Sequence, residues 1–158
     1  MYRRFKLLIL VLGLISVFSC EEELKPMPFT FTKFFTGATS KTWKVSFFEE
    51  TLNGTVTDNF LPGCIADDQF KFYANAEHLY ETTSGTNKCF EDEAGLTSSS
   101  WSYTTNNATL IMLLPIFSSD PLPFFVRKVN KDDLQIEIFL DDKNTASYRI
   151  HLKVIDEE

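Results

Sequence analysis

In the run "DLQIEIFLDDKNTASYRIHLKV", residues 133 to 154, apolar side chains fall on every second position. Leu134, Ile136, Ile138 and Leu140 share one side, with Gln135, Glu137 and Asp141 on the other. Past the turn, Tyr148, Ile150, Leu152 and Val154 are opposed to Arg149, His151 and Lys153. A repeat of two over this length requires extended chain with one face buried and one wet, because a helix would scatter these side chains around its axis. The same alternation carries Trp43, Val45 and Phe47, then Phe70 and Phe72, then Trp101 and Tyr103. Asn- and Asp-rich reversals, "YANAEH", "TTNNAT", "VNKDDL" and "DDKNTAS", separate the runs. Eight strands are expected, at 42–49, 68–74, 78–83, 98–104, 108–114, 124–130, 133–140 and 146–155, with a weaker ninth at 55–60. No run repeats at 3.6 residues, so little helix is expected. The fold class that follows is all-β. Sequential strands joined by short reversals make an antiparallel meander, and closing it into an up-and-down barrel removes its edges.

The start of the chain is of another kind. Arg3, Arg4 and Lys6 precede an apolar core from Leu7 to Ile15, and small Ser19 precedes Cys20. Charge, short apolar core and small residue describe a secretory signal over residues 1–19. A spanning helix would need about 20 apolar residues. Val17-Phe18-Ser19-Cys20 resembles a bacterial lipobox. The resemblance implies cleavage before Cys20 and acylation of its sulphur and amine, palmitate being the typical chain. Several acyl chains together anchor firmly where one holds only marginally. Glu21, Glu22 and Glu23 follow at once. Two readings stand for them: a sorting or surface-export signal, or a solvated spacer. The expected location is the outer membrane, lipid-anchored, on its periplasmic or its cell-surface face.

Residues 20–36 read as lipidated N-terminus and linker, with "KFFTGATSK" expected to fold back as a short turn of helix over one end of the domain. Residues 37–158 form that domain. The 139 residues left after signal removal are enough for one core. They carry twelve basic against twenty-two acidic side chains, a charge of −10. Such a chain repels nucleic acid, whose binders present basic patches. Cys64 and Cys89 remain in an exported chain, where disulfides persist. If 68–74 and 78–83 form a hairpin about "NA", opposite residues sum to about 151 and the two cysteines to 153. A Cys64–Cys89 bridge would then staple the open base of that hairpin, one bulge from direct opposition.

The order of these features is that of a known family. Gly37 and Trp43 open the first strand, "PGCIADDQFKFYAN" and "GTNKC" follow, then "SSSWSYTTNNATL", and "VNKDDLQIEIFLDDKNTASYRIHLKV" closes the chain. Residues 37–156 resemble the lipocalin-like domains of Gram-negative bacterial lipoproteins. The resemblance implies an eight-stranded barrel with a Trp packed near its base and an apolar cavity. It supplies no catalytic residues.

No catalytic or metal-binding pattern is evident. The carboxylate pairs and His78 and His151 read as turn and surface residues, with neither nucleophile motif nor ligand spacing. No cofactor is expected, and no enzyme. The barrel interior is expected to be lined by Trp43, Phe70, Phe72, Trp101, Tyr103, Ile136, Ile138, Ile150 and Leu152. In "LLPIFSSDPLPFF", three prolines break the sheet pattern and place Ile116, Phe117 and Leu122 on a loop at the barrel mouth. That loop is either a lid or docking surface, or it folds down onto the rim. Two functions are carried forward. One is a lipid-anchored module holding a small hydrophobic ligand. The other is a structural or interaction lipoprotein whose barrel is filled and whose partner is another envelope protein. An eight-stranded interior suits either.

Overall fold

The computed structural model describes residues 30–104 and 109–158. The expected signal, the Cys20 lipidation site and most of the linker lie outside these residues. Among the described residues one helix, α1 (Thr30–Thr36), is followed by ten strands: β1 (Ser40–Leu52), β2 (Thr55–Phe60), β3 (Gln69–Tyr73), β4 (Leu79–Thr83), β5 (Thr97–Ser100), β6 (Ser102–Tyr103), β7 (Thr109–Met112), β8 (Leu122–Val129), β9 (Asp133–Phe139) and β10 (Ala146–Glu157). All pair antiparallel in one sheet of order β5-β4-β3-β1-β10-β9-β8-β7-β6, with β2 attached to β1 alone. The sheet is a nearly closed barrel. Its two ends meet in one stretch of chain, because β5 pairs with β4 while β6, one residue later, pairs with β7.

Ten strands form where eight and a weak ninth were expected, and the reason is local. Trp101 interrupts the expected 98–104 run. Its backbone N–H donates to the carbonyl of His78 at 2.9 Å, and its indole stacks on the His78 ring at 4.4 Å. The weak ninth is β2, at the expected bounds. Leu122 departs from its expected loop. It opens β8 opposite Met112, and Pro123 follows within the strand opposite Ile111. Strand β9 reaches β8 only from Phe125 onward, so the N–H that Pro123 lacks would have had no partner on that side.

The α1 end of the barrel is closed by the chain just before β1. Phe35 is fully buried and its carbonyl accepts a 2.9 Å bond from Trp43 Nε1. Beside it, the buried Lys41 ammonium donates to the carbonyls of Phe34 (2.9 Å) and Lys131 (3.2 Å) and pairs with Glu157 at 2.9 Å. The chain is thus packed onto the barrel from α1 onward. Gly37 ends the helix at φ 68°, the left-handed geometry that terminates helices, and its N–H donates to Lys33.

Cys64 and Cys89 are bonded, with Cα atoms 4.8 Å apart. The β3–β4 register pairs Gln69 with Thr83 and Phe70 with Thr82, one residue from the expected sum. The bridge sits at the open base of this hairpin. A second tie lies beside it: the Asp67 carboxylate accepts bonds from the Thr86 N–H (2.7 Å) and hydroxyl (2.9 Å) and from the Asn87 N–H (3.3 Å). These hold its pKa below the usual carboxylate value, the Thr86 hydroxyl contributing most.

Candidate functional site

The barrel interior is packed with apolar side chains. Trp43, Phe70, Phe72, Trp101, Ile136, Ile150 and Leu152 are all buried there, with Ile138 and Tyr103 partly buried against them. Ring contacts run through both ends. Near α1, Phe35 lies 4.1 Å from Phe72, 5.2 Å from Trp101 and 5.6 Å from Tyr103, while Phe72 stacks on Tyr80 at 4.5 Å. A second cluster gathers Phe48, Phe60, Phe117, Phe124 and Tyr148, with centroid separations from 5.5 to 6.3 Å. Phe117 thus folds down onto the core from its turn, and Ile116 is likewise packed against it. With Leu122 in β8, the three mouth residues do not form an exposed lid. In the interior, Tyr80 Oη and Trp101 Nε1 are buried without a hydrogen-bond partner among the described residues. Burial drives the Tyr80 phenol well above its ordinary pKa, so it stays protonated.

The outer wall of the same barrel holds an arrangement that alternation alone did not reveal. The expected shared face of Trp43, Val45 and Phe47 does not hold. A bulge between Val45 and Phe47 turns Phe48 inward and Phe47 outward, where Phe47 stacks on His151 at 4.1 Å. From there Glu49 and Thr51 of β1, Ser147, Arg149 and His151 of β10, and Gln135, Glu137 and Phe139 of β9 all point outward in register. A second bulge, between Val126 and Lys128 of β8, puts Arg127 beside them. Bulges re-aim single side chains in this way, and they are over-represented next to functional sites.

Glu137 is the hub. Its side chain is only 4 % exposed although it lies on the outer face. One oxygen accepts from Arg127 Nε and the other from the Ser147 hydroxyl. Because Ser147 spends its proton on Glu137, the Thr51 hydroxyl must donate to Ser147. Arg149 Nη1 donates to Glu49 at 2.9 Å, and Arg149 Nη2 lies 3.8 Å from Glu137. Burial alone would raise the Glu137 carboxyl. The Ser147 bond and the two guanidinium groups outweigh it and hold the pKa below the usual value, so the group is ionised at neutral pH. His151 Nε2 comes within 3.2 Å of Glu49 without hydrogen-bond geometry.

Over this hub opens a groove of about 460 Å³ lined by Thr51, Gly54, Arg127, Gln135, Glu137, Phe139, Asn144 and Arg149. Its lining carries two guanidinium groups against one carboxylate. Sequence reading took Gln135, Glu137, Arg149 and His151 for plain solvent-facing residues. The missed signal was pairwise: a hairpin centred on Lys143 sets Glu137 opposite Arg149 and Phe139 opposite Ser147. Among the described residues, no three His, Cys, Asp or Glu side chains gather to hold a metal, and no helix is long and apolar enough to cross a membrane. No protein-family model matches the chain, and no curated protein sequence matches it.

Proposed function

We propose that this chain is a lipid-anchored, non-catalytic envelope lipoprotein with a lipocalin-like barrel, filled by its own aromatic side chains, that works through its outer wall. The observation that carries the reading is the pair of aromatic clusters. Rings in contact at the α1 end and again at the Phe117 end leave inward-facing volume to the protein itself. Counting β5 and β6 as one kinked stave gives eight around the ring, the number the lipocalin-like resemblance implies. The lipobox-like Val17-Phe18-Ser19-Cys20 supports anchoring through Cys20, with a charge of −10 in the exported part keeping the barrel off anionic headgroups.

Native protein extracted in mild detergent tests both halves. Mass spectrometry of repeated preparations should find acyl chains on Cys20 and no stoichiometric apolar molecule. Cys20→Ser should move the protein to the soluble fraction. A reproducibly bound apolar molecule would overturn the filled barrel, and a membrane-bound Cys20→Ser variant would overturn lipidation. One observation favours a second reading, that of an interior ligand. Tyr80 Oη and Trp101 Nε1 are buried without partners among the described residues, and a small hydrophobic molecule with one polar end could satisfy them.

A further inference from the structure

We propose that the groove over Glu137 binds a small carboxylic acid whose carboxylate adjoins a flat ring. The inference rests on the reading that the outer wall is the working surface, and it names the ligand chemistry of that surface.

Unused donors set the charge of the ligand. Each Glu137 oxygen already holds a protein donor, Arg127 on one and Ser147 on the other, and its negative charge repels an anionic guest rather than anchoring it. The guanidinium groups are in the opposite condition. Among the described residues Arg149 Nε has no hydrogen-bond partner, and Arg149 Nη2, on a side chain 29 % exposed, makes only the 3.8 Å approach to Glu137. Arg127 donates through Nε, and no hydrogen bond from its two terminal nitrogens is present among the described residues. Five donors on each guanidinium against one bond from each leaves a set that wants acceptors. A planar carboxylate matches such a fork with two parallel bonds. Anchoring is rigid. Arg127 is fixed by its bulge and Glu137 bond, lies over the Phe125 and Phe139 rings at 5.9 Å, and still keeps 44 % of its side chain exposed. A guest can therefore reach it.

The body of the ligand follows from the rest of the lining. Phe139 offers a ring face, itself braced by Phe125 at 5.4 Å. Gln135, Asn144 and Thr51 supply amide and hydroxyl groups in the same groove. A volume of about 460 Å³ is within the range of small-molecule sites. The shared chemistry is a ring bearing a carboxylate. The ring is either hydroxylated, as in a sugar acid, or aromatic.

Calorimetric titration of the detergent-extracted full chain decides the matter, with galacturonate and benzoate as probes and galacturonate methyl ester and benzamide as their neutral counterparts. At least one acid should bind at millimolar concentration or below, with its neutral counterpart about tenfold weaker or more. Preference for galacturonate assigns the hydroxylated ring, and preference for benzoate the aromatic one. Arg127→Gln should weaken binding about tenfold. Because that change also disturbs Glu137, Gln135→Glu serves as a second variant. It sets a like charge in the groove while leaving the Glu137 bonds alone, and it should weaken binding comparably. Lys71→Gln, whose partner Glu158 lies at the α1 end, should leave affinity unchanged. Absence of binding by both acids overturns the proposal, as does binding indifferent to charge on the probe or to Gln135→Glu. Such a failure leaves the filled barrel standing. Uptake of an apolar molecule would defeat the filled barrel without touching the groove.

Discussion

Strands β1, β8, β9 and β10 build two surfaces from one backbone, and the surfaces obey different rules. Inward, Trp43, Phe48, Phe124, Ile136 and Ile150 are at most 1 % exposed and meet as rings and branched chains. Burial there is non-directional, so any apolar side chain of suitable size contributes. Outward, Glu49, Glu137, Arg127 and Arg149 are held by directed bonds, each dependent on register. Replacing a buried ion pair by packed apolar residues is often neutral or stabilising. The outer network therefore contributes little to stability that a simpler surface could not. What the directed bonds do set is the orientation of each charged side chain on that wall.

If that contrast is right, the largest stability loss comes from the inside. Phe35→Ala removes the ring that touches Phe72, Trp101 and Tyr103. It should cost about 3–5 kcal/mol in denaturant unfolding. A loss near 1 kcal/mol would mean the α1 end is loosely packed. Replacing Cys64 and Cys89 together by serine should cost about 3 kcal/mol for a bridge closing a separation of 25 residues. Groove binding should be unaffected, because the bridge is at the hairpin base and not on the β8–β10 wall.

Outside, effects should be smaller and should depend on pH. Glu137→Gln keeps the shape but removes the charge between two partly exposed arginines, and about 1–2 kcal/mol is expected at pH 7. The folded Glu137 pKa lies below its ordinary value of 4.5. Its contribution is thus full above that value and disappears as pH falls through the lowered one. The difference between wild type and Glu137→Gln should shrink accordingly in acid. Asp68 has the opposite sign. Burial raises its carboxyl pKa, so the folded state holds that proton more tightly and loses stability as pH climbs from 3.8 through the raised value. The smallest effect is expected at Asp133, whose carboxyl is lowered to about 2 chiefly by its bond from Lys153. Lys153→Ala should raise the Asp133 titration midpoint, followed by NMR, without a measurable change in melting.

The two surfaces were also unequally legible. Period two located the interior residues and most strand bounds, because each apolar residue reports its own environment. The expected hairpin sum came within one of the observed β3–β4 register, and the Cys64–Cys89 bridge lies at that hairpin's base. What escaped were positions set by irregularity. Bulges at Ser46 and Arg127 shift every later side chain by one position, so Phe47 and Phe48 exchanged faces relative to simple alternation. Trp101 broke a strand through a backbone bond to His78, about twenty residues earlier in sequence, and Pro123 entered a strand where one flank has no partner. The groove is assembled from four strands and two bulges, and no short window of sequence contains it.

Xenon is the most direct probe of the claim that the inside is filled and the outside is used. It enters apolar cavities that are large enough and leaves packed cores alone. In the pressurised full-length protein, NMR shifts should stay unperturbed at Phe35, Phe72, Phe124 and Ile136. Saturable xenon-induced shifts clustered at those inward side chains would reveal an open apolar cavity and contradict the account.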